Sequence, residues 1–74
     1  MKKEETPFII NIIQDMANIS FLVNTYFNDE KKTTQWLNTE NPLLGNQEPV
    51  QMIFAGRTEK LKNFIEQQLL GNNS

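Results

Sequence analysis

The side chains of this chain that could do acid–base work are carboxylates, and the pairs worth weighing are Asp29 with Glu30 and Glu59 with Glu66. General acid–base catalysis needs two such groups held in different environments of one cleft, so that their proton affinities separate. Both pairs fall in stretches that read as exposed helix, where neither member gains a distinct environment. The chain has no cysteine and no histidine. That removes the nucleophiles an imidazole activates, rules out disulfides, and leaves only carboxylates for zinc, which structural zinc sites rarely use alone. Its three glycines are too scattered for a phosphate loop. The residues point to a protein that is not an enzyme and has no catalytic, metal or cofactor site.

The elements that could position anything else are limited by length. Seventy-four residues make one domain with one modest core. Chains of this size usually rely on a disulfide, a metal or association with another chain, and only association is left here. The net charge is -2 from seven basic and nine acidic residues. The basic residues are dispersed as Lys2 and Lys3, Lys31 and Lys32, and Arg57, Lys60 and Lys62, without the clustered surface that duplex DNA requires. The apolar stretch from Phe8 to Ile13 is too short to span a membrane, and Gln14, Asp15 and Asn18 spoil a signal peptide. The expected compartment is the cytoplasm.

Periodicity gives an all-α reading: a small single-domain bundle of about four helices, with a leader over residues 1–5, the domain over 6–71 and a tail over 72–74. Thr6-Pro7 starts the first helix, which runs to about Phe27. Phe8, Ile9, Ile12, Ile13, Met16, Ile19, Val23, Tyr26 and Phe27 share its apolar face. Ile10, Phe21 and Leu22 sit on the shoulders of that face and offer more apolar surface than short partner helices cover, which makes them candidates for self-association. Asn28 or Asp29 caps a second helix that turns Thr33, Trp36 and Leu37 inward. Trp36 in that setting reads as core more readily than as a contact. Asn41-Pro42 and Gly45-Asn46 impose a turn, with at least one of Leu43 and Leu44 plugging the core. Pro49 opens a third helix that buries Val50, Ile53 and Phe54, and Gly56 ends it. Thr58 caps the last helix, whose stripe is Leu61, Phe64, Ile65 and Leu69, and Gly71 stops it.

The run from Trp36-Leu37 through Asn41, Pro42, Leu44 and Gly45 to Pro49 and Ile53 resembles the W-L-x-x-x-N-x-x-L-x-G-x-x-P-x-x-L-L signature of the Xre/MbcA/ParS toxin-binding domain. Each position has a structural use: tryptophan to close a helix on the core, asparagine to bond local backbone, glycine for positive φ, proline to start a helix. The likeness extends over roughly Ile19 to Gly71. Asn28 and Asn46 stand where the family often has glycine, and asparagine tolerates the left-handed conformation such positions need. Many members carry a helix-turn-helix before this domain. Here only one helix precedes the motif, so DNA binding is not expected of this chain alone, and the initiating methionine favours a natural solo domain.

The resemblance implies a RES-type toxin as partner, an enzyme that consumes or transfers from NAD, with its active site covered by the C-terminal part of this chain. The positions concerned are Arg57, Lys60, Asn63, Gln67 and the segment Gly71, Asn72, Asn73 and Ser74. The bland reading of Arg57, Lys60 and Lys62 is a solvated helix face. The alternative function is a homo-oligomeric interaction or scaffold domain with the same fold and no toxin partner. The identity of the gene beside this one separates the two.

Overall fold

In the computed structural model the described residues are 5–71, with side chains from Ile9 onward. They form α1 (Glu5–Phe27), α2 (Glu30–Leu37), a 3-10 turn (Pro42–Leu44), α3 (Pro49–Phe54) and α4 (Thr58–Gln68). Among the described residues there is no strand, only an isolated bridge between Asn41 and Gln47. The all-α architecture of four helices stands. The leader residues 1–4 and the tail 72–74 lie outside the described residues, while Glu5 opens α1 and places Thr6 inside the helix and not at its cap. Pro7 is tolerated there because amides of a first turn have no carbonyl to bond.

The link from α1 to α2 is two residues long, which forces a sharp reversal. Asn28 takes φ 53, the left-handed conformation asparagine adopts more readily than most residues. Asp29 is the cap: its carboxylate accepts from the amides of Lys31 (2.9 Å) and Lys32 (3.2 Å). Asn24 of α1 braces the corner, its Oδ1 accepting from the Asp29 amide and from the Thr33 hydroxyl, both at 3.0 Å. Thr33 is buried, so this bond satisfies a polar group that would otherwise be costly to bury.

After α2 the chain winds around Asn41. Its amide donates to the Gln47 carbonyl (2.9 Å), its carbonyl accepts from the amides of Leu44 and Asn46 (both 2.9 Å), and its Oδ1 accepts from the Leu43 amide (3.0 Å). Gly45 and Asn46 follow with φ 69 and 64. Pro49 then begins α3, steadied by the Glu48 amide donating to Gln51 Oε1 (3.4 Å). A Schellman pair closes α3: the Gly56 amide donates to Ile53 O (3.1 Å) and the Arg57 amide to Met52 O (2.8 Å), which satisfies two terminal carbonyls.

The core is Ile19 and Val23 of α1, Leu37 of α2, Met52 and Ile53 of α3, and Leu61 and Ile65 of α4. Trp36 and Leu44 are half-buried against it, and Trp36 stacks on Phe64 of α4 with ring centroids 6.5 Å apart and planes 23° apart.

Three further expectations need correcting. Phe54 is exposed and Met52 buried. The inward face of α3 is set by Pro49, Met52 and Ile53, and at 100° per residue Phe54 points away from it. Thr58 lies inside α4 with Arg57 at the cap position; its hydroxyl donates to Asp15 Oδ2 at 2.8 Å instead and ties α4 to α1. The expectation that at least one of the turn leucines plugs the core holds, through Leu44, while Leu43 is exposed. Ile9, Ile13 and Tyr26, read as part of the inward face, are exposed. The reason for the two isoleucines is length: α1 has 23 residues against 8 and 11 in α2 and α4, roughly 34 Å against 12 and 16 Å, so the shorter helices cannot cover all of it.

Two stability measurements check this packing. Leu61→Ala should cost about 2–5 kcal/mol in a denaturant titration, whereas Leu43→Ala should stay within about 0.5 kcal/mol. Gly45→Ala should cost about 1–2 kcal/mol from the left-handed backbone alone, since a Cβ there meets nothing within 4 Å.

Candidate functional site

The turn and the last helix enclose a groove of about 320 Å³. Leu44, Met52 and Phe64 give it an apolar floor and wall, with Leu43, Arg57 and Lys60 at its edge. Asn41 fixes the turn from one side by its four hydrogen bonds. From the other side the Trp36–Phe64 stack and the buried Leu61 and Ile65 fix the rotation of α4. Leu43 is 71% exposed, held outward by backbone bonds and not by burial.

The α4 positions suggested by the sequence fall together. At 100° per residue, Arg57, Lys60, Asn63 and Gln67 occupy one stripe with Phe64, turned away from Leu61, Ile65 and Leu69. All four polar members are exposed, as is Gly71, while Asn72, Asn73 and Ser74 lie outside the described residues. Only Arg57 and Lys60 of this set line the groove; Asn63 and Gln67 extend the same stripe toward the C-terminus.

The motif residues divide by burial. Leu37 and Pro49 are buried, Trp36, Asn41 and Leu44 are half-buried, and Pro42 and Gly45 are exposed. They build the corner and leave Leu43, which no motif position had singled out, as its exposed apolar contact. The signal that could have found it is a pair of adjacent leucines in a turn, of which geometry lets one point inward. Of the shoulder residues of α1, Ile10 and Phe21 are exposed, whereas Leu22 is half-buried against the core.

Chemically the groove offers an apolar slot beside two cations, which suits another protein's surface. Among the described residues no three acidic side chains converge to hold a metal ion, and no helix is long and apolar enough to cross a membrane.

No curated protein and no solved structure matches the chain significantly. The family described as the antitoxin Xre/MbcA/ParS C-terminal toxin-binding domain matches residues 22–59. That span holds the Asn24 brace, the whole of α2, the Asn41 turn, α3 and Arg57. It stops before Lys60, and it excludes Ile9, Ile10, Ile13 and Phe21. With more than half of its residues inside the match, and with the matched residues forming the corner that orients α4, the chain belongs to the family of antitoxin Xre/MbcA/ParS C-terminal toxin-binding domains.

Proposed function

We propose that this chain neutralises a RES-type toxin, an enzyme that consumes or transfers from NAD, by docking through the α4 stripe and covering the toxin's active site. The observation that carries the reading is the groove itself. A family of toxin-binding domains here presents Leu43 and Phe64 beside Arg57 and Lys60 on one open edge. Apolar anchors beside charges that steer encounter are what a protein interface needs.

Arg57 and Lys60 favour a toxin surface on which carboxylates flank an apolar side chain. Asn63, Gln67 and the segment from Gly71 to Ser74 bring amides and a hydroxyl, which can pair with the polar groups of a cleft built for a dinucleotide and spare it unpaired buried groups. The chain acts by occlusion in the cytoplasm, performs no chemistry, and self-associates through α1.

Mixing the chain with the RES-type toxin encoded beside it should suppress NAD loss at near-equimolar ratio; undiminished NAD loss rejects the reading. Reversing both cations, Arg57→Glu with Lys60→Glu, should weaken toxin binding by at least about tenfold in calorimetry, with an unchanged melting temperature because both side chains are exposed. Removing Gly71 to Ser74 should relieve inhibition, and full inhibition without these residues excludes their covering the active site.

A further inference from the structure

Asp15 is the only charged residue from Ile9 to Phe27. At 100° per residue it stands on the opposite side of α1 from an exposed, uncharged stripe made by Ile9, Ile10, Ile13 and Phe21. Its Oδ2 accepts the Thr58 hydroxyl at 2.8 Å, in a partly buried bond between residues 43 positions apart. Among the described residues this is the one side-chain hydrogen bond that joins α4 to another helix. The family match begins at residue 22, so it holds the donor of this bond and not the acceptor.

The bond falls where α4 is least secured. Leu61 and Ile65 are buried and fix the helix from its second turn onward, whereas Arg57 and Lys60 at its start are exposed. Arg57 occupies the cap position and no side chain makes a capping bond there. Amides of a first turn have no carbonyl of their own helix to bond, so a first turn without a cap frays more readily. The two cations add to the strain. They are three residues apart, a spacing at which like charges repel, and they sit at the helix end where the aligned peptide dipoles disfavour positive charge. Asp15 answers both deficits from outside the helix: it anchors the first residue of α4 through Thr58 and places a carboxylate beside the helix N-terminus.

We propose that Asp15 is a positioning residue for toxin docking, holding the first turn of α4 through Thr58 so that Arg57 and Lys60 stand formed at the edge of the groove. This rests on the toxin reading above. Asp15 does not line the groove, so it acts through α4 and not by contact with the partner there. A partner that needs both cations in place binds with an affinity reduced by the fraction of molecules in which the turn is formed. Holding the turn beforehand removes an ordering cost from the complex. A binding edge made of two cations at a helix N-terminus thus weakens its own turn, and α1 supplies the compensating acceptor.

Two measurements on the full chain test this, one without toxin and one with it. Without toxin, the α-carbon chemical shifts of Glu59 and Lys60 should move from helical toward coil values in Asp15→Ala and in Thr58→Val, while those of Phe64 to Gln67 stay helical. A general loss of stability leaves both sets in place as long as the chain is folded, so unmoved shifts at Glu59 and Lys60 overturn the inference whatever the toxin does. With the RES-type toxin encoded beside the chain, each variant should weaken binding by at least about fivefold in calorimetry. The double variant should be no weaker than either alone, because both changes remove one bond. Thr58→Ser keeps the hydroxyl and should bind within about twofold of the unaltered chain. Undiminished binding by Asp15→Ala, where the unaltered chain binds, overturns the positioning role and leaves the toxin reading standing. Failure of the unaltered chain to bind rejects the toxin reading and the docking role with it.

Discussion

Burial of Ile19 and Val23, one turn apart on α1, is the contact on which the remaining structure depends. Both are essentially inaccessible to solvent, in one cluster with side chains from all three later helices. A domain this small has little core to spare, so every other feature serves to bring a short helix onto that spot. The Asn24 brace and the Asp29 cap bring Leu37, the Asn41 turn brings Met52 and Ile53, and the Schellman pair after α3 brings Leu61 and Ile65. The connections are short and rich in hydrogen bonds because loose ones would cost conformational entropy that so few buried side chains could not offset.

Local chemistry is what the sequence made legible. Asp29 caps α2, Asn28 and Asn46 take positive φ, Pro49 starts α3 and Gly56 ends it, since each choice is decided by a residue and its immediate backbone. Features decided at a distance were misread. Helical periodicity identified an apolar face on α1, but coverage of that face depends on how far α2 and α4 reach, which no property of Ile9 or Ile13 encodes. Thr58 has the side chain of a cap, yet Asp15 lies within 2.8 Å and takes its hydroxyl. In α3, Met52 and Phe54 are both apolar and only the register imposed by the preceding turn selects between them. The candidate site was half legible for the same reason: the spacing of Arg57, Lys60, Asn63 and Gln67 puts them on one stripe, while the groove beside them needs the turn to be folded before Leu43 and Leu44 part company.

Placing the corner motif at the centre of the family match has a physical logic. Trp36, Asn41, Leu44 and Pro49 make few surfaces of their own, but together they set where the turn lies against α4, and so whether Leu43 meets Arg57 and Lys60 across a usable groove. A groove assembled from two elements is only as well defined as the angle between them. Backbone hydrogen bonds at Asn41 and an aromatic stack at Trp36 restrict that angle.

The two exposed surfaces share no lining residue: the α4 groove is built from the turn, α3 and α4, and the α1 stripe from α1 and α2. Both are anchored to the same core, which makes them rigid, yet occupying one need not distort the other. The α4 groove and the α1 stripe are therefore separable features of one small core, each positioned by different helices packed on Ile19 and Val23.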